Sequence, residues 1–101
     1  MNKPVETICS ELVLKGLSAD GLFDLSNACR DRAKTATPIL LWLALDAFFR
    51  RIGSSLHDGA IASRRVDEIA NQLRPMLEAL SKPFDGPNVI ERHVIALRNL
   101  L

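Results

Sequence analysis

The chain has 101 residues, 48% hydrophobic and 25% charged, with a mean hydropathy of +0.09. That length predicts one domain, spanning residues 1–101. A net charge of +1 and a pI near 7.8 lack the strong basic field of a dedicated nucleic-acid binder, and two cysteines do not make a disulfide framework.

The whole sequence reads as helix. Alternating β-branched runs are absent, there is no tyrosine, and no turn signal joins two short strands. The first predicted helix runs from about Pro4 to Lys15. Pro4 suits a first helical position, Val5, Ile8, Cys9, Leu12 and Val13 form one face, and Gly16 ends it. The opening MNKPVETICS has no apolar h-region, so a signal peptide is not expected.

The second predicted helix starts at Ser18, a good N-cap, with Asp20 where the helix dipole favours an acid. Its stripe is Leu22, Leu25, Ser26, Cys29, Ala33 and Ala36. The small residues at its C-terminal half let a neighbouring helix come close. Phe23 lies off the stripe and is a candidate contact residue.

The third predicted helix, near residues 38–52, is the most informative. Thr37-Pro38 predicts an N-cap followed by proline in the first turn. From Ile39 to Phe49 only Asp46 is polar. The residues fall into two apolar arcs on a helical wheel. One holds Leu41, Trp42, Leu45, Phe48, Phe49 and Ile52, and the other holds Ile39, Leu40, Leu43, Ala44 and Ala47. A helix apolar all round must be buried on all sides, and a small chain can rarely surround one of its own helices so fully. The expectation is a central helix that needs a partner, either a homodimer mate or another protein. Asp46 and Arg50 stand four apart in the favourable acid-then-base order. The helix is expected to fray near Gly53-Ser54-Ser55 or to continue to His57.

The fourth follows Asp58-Gly59, with a clean stripe of Val66, Ile69, Ala70, Leu73, Met76, Leu77 and Leu80. Pro75 falls within it and predicts a kink or split near Arg74. The segment KPFDGP, residues 82–87, reads as a loop. A fifth helix is predicted from Pro87 or Asn88 onward, with Val89, Ile90, Val94, Leu97, Leu100 and Leu101 as its stripe.

Chemistry-bearing patterns are few. His57-Asp58-Gly59 has the order of a phosphoacceptor histidine, and an exposed turn explains it as well. His93 at the edge of the fifth stripe is expected to be an interface or core histidine. The two histidines and two cysteines show no paired ligand spacing, so no metal or other cofactor is expected. No nucleophile–base pattern and no glycine-rich phosphate loop occur, so the chain is not expected to be an enzyme. Cys9 and Cys29 fall on apolar stripes and are read as reduced, buried thiols. The apolar run at 39–49 is well short of the roughly 20 residues that span a bilayer. A soluble, cytoplasmic protein, bacterial or phage-borne, with no membrane contact is expected.

Nine of the thirteen basic residues are arginine. Arginine suits interface ion pairs and phosphate better than lysine, although a GC-rich genome gives the same bias. Arg50-Arg51 and Arg64-Arg65 flank the turn between the third and fourth helices and could make a basic patch. VDEIANQL hints at a helix-turn-helix, but the following residues lack the short turn and second helix at the required spacing.

The stretch GLSADGLFDLSNACRDR, from Gly16 to Arg32, carries Gly-Leu, a polar cap, then leucines, alanine and arginine at helical spacing. With the amphipathic segment Val66 to Leu80, it resembles the small quorum-sensing antiactivators of the TraM and QslA kind. The resemblance covers residues 5–80 at most and transfers no individual functional residue. It implies a dimer of paired helices that binds and blocks a LuxR-type transcription factor.

The expectation is therefore an all-α domain of about five helices in a compact bundle. It is expected to act as a regulator by protein–protein interaction, and the resemblance implies an antiactivator that occludes a transcription factor. A helical DNA-binding regulator or a structural subunit of a larger assembly are the alternatives. Partner-binding candidates are Phe23, Trp42, Phe49 and Phe84, with Arg50, Arg51, Arg64 and Arg65 at the rim, because aromatics and arginine dominate interface energetics.

Overall fold

The computed structural model describes residues 3–82, together with Glu91, Arg92 and Ile95. Four helices are defined: α1 (Val5–Lys15), α2 (Ala19–Ala33), α3 (Ile39–His57) and α4 (Ser63–Leu80). No strand occurs among the described residues. The all-α expectation holds, with four helices defined where about five were expected. Glu91, Arg92 and Ile95 are helical. The rest of the predicted fifth helix, the loop around Phe84 and His93 lie outside the described residues.

Local chemistry sets the boundaries. Gly16 takes φ +92°, which a side chain would oppose, and its N–H bonds the Leu12 carbonyl at 3.0 Å. Ser18 caps α2 as its sequence predicts, its Oγ accepting from the Gly21 N–H at 3.0 Å. The start of α3 differs from expectation. Pro38, not Thr37, is the N-cap, with no side-chain cap bond. Nor does α3 fray at Gly53, since it runs unbroken to His57.

Pro75 does not split α4, which is continuous from Ser63 to Leu80. The hydrogen bond that proline cannot make would have gone to the carbonyl of Asn71. Both Pro75 and Asn71 are exposed, so water can satisfy that carbonyl and the stripe beneath keeps its contacts.

The dominant pairing is α2 against α3, joined by a short connection and running antiparallel. Arg32 meets Trp42 near the connection, Ser26 meets Asp46 in the middle, and Phe23 meets Gly53 at the far end. Close approach follows from small residues on both helices. Ser26, Cys29 and Ala33 are buried on α2. A Cβ on Gly53 would lie 3.0 Å from the Phe23 ring and 3.4 Å from the Leu22 Cβ, so glycine lets the helices meet there without displacing that ring. Helix α1 packs on α2, and α4 packs mainly on α1. The core runs continuously through all four helices, with Trp42, Phe49, Leu22, Leu25, Leu45, Leu73 and Met76 almost wholly enclosed.

Candidate functional site

The two arcs of α3 have opposite fates. Leu41, Trp42, Leu45, Phe48, Phe49 and Ile52 are all buried in the chain's own core. Ile39 is 51% exposed, Leu40 80% and Leu43 43%, and Ala44 and Ala47 are exposed beside them. The third helix is therefore not wrapped on all sides. It packs on α2 with one arc and presents the other outward as an apolar strip more than two turns long. Singly scattered exposed apolar residues are ordinary, as with Leu14 on α1, at 84%. A contiguous row on one rigid helix is the kind of patch that marks a contact surface.

A polar cluster borders the strip. Asp46 is only 8% exposed, yet it is fully engaged. The Ser26 hydroxyl donates to its carboxylate and approaches its backbone carbonyl at 2.9 Å. Arg30 Nε donates to Oδ2 at 3.1 Å and Arg50 to Oδ1 at 3.0 Å, while Arg50 also donates to Asn27 at 3.1 Å. Burial pushes the carboxyl pKa up, but the donors from Ser26, Arg30 and Arg50 outweigh it and hold it below its ordinary value. Asp46 is thus a charged clamp between α2 and α3.

A second clamp joins three helices. Arg32 donates to both carboxylate oxygens of Glu6 on α1, at 2.8 and 3.0 Å. Its guanidinium also lies 5.1 Å from the ring centroid of Trp42 on α3, a cation–π distance.

The remaining candidates separate. Trp42, 2% exposed, and Phe49, fully enclosed, already spend their apolar surface on the internal core. Phe23 is half-buried, against Gly53 and 6.4 Å from the His57 ring. Arg50 is tied to the Asp46 cluster, Arg51 and Arg64 are exposed, and Arg65 faces Glu68 at 3.5 Å. Phe84 lies outside the described residues. Sequence reasoning paired Asp46 with Arg50 but missed Arg30, Asn27 and Arg32. The one local hint was that Arg30 stands four residues after Ser26, the one hydroxyl in the α2 stripe; the partners themselves lie across helices.

The buried thiols do not form a reactive site. Burial pushes Cys9 up to about 12, and burial raises Cys29 as well, so both stay protonated near neutrality. No group of three or more His, Cys, Asp or Glu residues that could hold a metal occurs among the described residues. Hollows of about 40 and 100 Å³ flank α1, well under the ~300–1,000 Å³ of a typical small-molecule pocket. No described helix is long and apolar enough to cross a membrane. Neither a family model, nor any curated protein, nor any solved structure matches this chain.

Proposed function

We propose that this chain is a small regulator that works by protein–protein contact, covering a functional surface of a target protein and carrying no catalysis of its own. The observation that carries this reading is the outward apolar strip of α3, Ile39, Leu40, Leu43, Ala44 and Ala47. Leaving such a row in water forgoes ~25 cal/mol for each Å² of apolar surface, an arrangement that contact with another protein relieves. The strip sits on a helix whose other face is locked into the core, so it is offered to a target without an ordering cost. Arg50 and Arg51 stand at its rim, where charge sets orientation and rate more than affinity.

The target class proposed is a transcription factor, as for the antiactivators that the Gly16–Arg32 stretch resembles. A DNA-binding role has less support. Arg50 is committed to Asp46 and Asn27, and Arg65 faces Glu68, which spends much of the charge such a role would use.

The test is capture from nuclease-treated host lysate with tagged wild-type chain and with a Leu40→Glu, Leu43→Glu variant. A stoichiometric protein held by the wild type at high salt and lost by the variant supports occlusion through the strip. Capture that vanishes with nuclease replaces this reading with nucleic-acid binding.

A further inference from the structure

Resting on the reading of the α3 strip as a protein-contact surface, we propose that its occupant is an acidic amphipathic helix of the target, and that Arg30 is the residue that reads the acid. The apolar side of that helix lies on Leu40, Leu43 and Ala47, and a carboxylate on its edge is held by the two Nη groups of Arg30.

The charge beside the strip is one-sided. Asp46 is the only acidic residue of α3, and it is buried and bonded to Ser26, Arg30 and Arg50. The outward side of the helix therefore carries Arg50 and Arg51 and no exposed acid. Within the Asp46 cluster two guanidiniums share one carboxylate, which leaves one positive charge uncompensated. A carboxylate from outside completes the cluster. Another copy of this helix face has none to give.

Arg30 is placed to take it. Its Nε donates to Asp46 Oδ2 at 3.1 Å, and among the described residues neither Nη bonds to another group. A guanidinium is a planar fork, so holding Nε sets the direction of the Nη edge. The side chain is 50% exposed. An incoming carboxylate meets two donors already oriented, which favours a bidentate contact at low ordering cost. Arg50 differs, because its Nη2 serves both Asp46 and Asn27 and so holds the clamp. Exposed Arg51, four residues after Ala47, adds charge at the C-terminal end of the strip.

The strip lies beside this fork. Leu43 stands three residues before Asp46 on α3, so the two are neighbours on the helix surface, and Arg30 reaches the same carboxylate from α2. From Ile39 to Ala47 the strip is about 12 Å long at 1.5 Å per residue. A helix fits such a row, because its apolar anchors recur at i, i+3, i+4 and i+7. Ala44 and Ala47 let its backbone come close. A strand or loop would press unpaired backbone groups against Leu40 and Leu43. A phosphate backbone meets the arginines but leaves those leucines in water.

The test is a displayed library of amphipathic helices of roughly 18 residues, long enough to be helical alone. The apolar stripe is fixed as leucine and alanine, and the edge positions vary among Glu, Gln and Lys. Selection is on the wild-type chain, and clones that also bind the Leu40→Glu, Leu43→Glu variant are discarded. The expected survivors carry Glu at one edge position. Each is then made as a labelled peptide and titrated by fluorescence anisotropy. Changing its Glu to Gln should weaken binding about tenfold, and so should Arg30→Gln in the chain, as for a hydrogen-bonded charge. The two losses should not add, since either removes the same contact. Arg30→Lys keeps the charge but lacks the fork, and should lose most of the preference for Glu. Both variants leave Ser26 and Arg50 on Asp46, and their circular dichroism should match the wild type.

Survivors that carry Gln or Lys as often as Glu overturn the proposal. So do Glu peptides that bind Arg30→Gln and Arg30→Lys as well as wild type, or a library that yields no strip-dependent binder. The two readings fail separately. A lysate target captured through the strip and indifferent to Arg30→Gln sinks the acidic-helix inference alone. Strip-dependent acidic peptides beside lysate capture that ignores strip substitutions sink the occlusion reading alone.

Discussion

Replacing Asp46 with asparagine keeps the shape of the clamp between α2 and α3 and keeps an acceptor for the Ser26 hydroxyl, but removes the charge that Arg30 and Arg50 share. The Asp46 side chain is 12% exposed, and those of Arg30 and Arg50 are 50% and 40% exposed. Stripping one partner from a fully buried ion pair costs ~3–5 kcal/mol, whereas a fully exposed pair contributes ~0.2–1 kcal/mol. A buried carboxylate with two half-exposed arginines falls between these, at about 2 kcal/mol for the pair of contacts. For a domain of this size that is a fall in Tm of roughly 8–16 °C. Urea unfolding followed by the fluorescence of Trp42 measures it. The pH dependence is the sharper part. The Asp46 pKa is lowered in the folded chain from an ordinary 3.8. A depressed carboxylate contributes stability that is complete above its unfolded pKa and lost as pH falls through the folded one. The gap between wild type and Asp46→Asn should therefore be full at pH 7 and start to close below about pH 4. A gap of equal size at pH 7 and at the acid limit would refute the reasoning, because the loss would then owe nothing to the charge. No loss at pH 7 would refute it too.

Three further outcomes follow from the packing. Ser18→Ala removes the only side-chain cap of α2 and should lower stability by about 1 kcal/mol in thermal or urea unfolding; an unchanged midpoint would mean that the cap bond contributes nothing. Gly53→Ala should stay within about 1 kcal/mol of wild type, since gained helix propensity offsets crowding against the half-buried Phe23 ring. Gly53→Leu cannot be relieved that way and should cost ~2 kcal/mol or more, and a neutral Gly53→Leu would contradict the close α2–α3 approach. Both cysteines should resist a thiol reagent at pH 8 in the native protein and react fully in urea. Rapid native labelling of either would show that the thiols are open to solvent.

Periodicity found the elements because each helix buries a stripe that repeats every three or four residues. It could not say which arc of α3 is internal. Both arcs are apolar, and the choice was made by α2, whose Ser26, Cys29 and Ala33 leave room only on the side of Trp42 and Phe49. Within the chain only that arc is covered, and the outer arc is the part for which the sequence reading called for a partner. Composition signals a helix that wants cover, but a tertiary neighbour decides where the cover is. Breaker residues have other roles here. Gly53 marks a close approach within α3, which takes the second of the two ends the sequence left open, His57, and Pro75 sits where solvent removes its penalty. The strip itself was visible as five named residues, while the arginines that border it were only partly so. Arg30 and Arg32 find their partners across helices, at separations that no local spacing rule covers.

The order in which the helices lean on one another has a consequence for how the fold comes apart. Helix α4 rests mainly on α1, and α1 reaches the rest of the molecule through α2, with the Arg32–Glu6 contact as one of its ties. Opening α1 therefore takes the support from α4, while the α2–α3 pair keeps its own interface and its Asp46 clamp. Protection of backbone amides should be tiered accordingly, slowest to exchange in α2 and α3, with α4 never outlasting α1. The outward apolar strip of α3 is thus carried by the last part of the molecule to loosen.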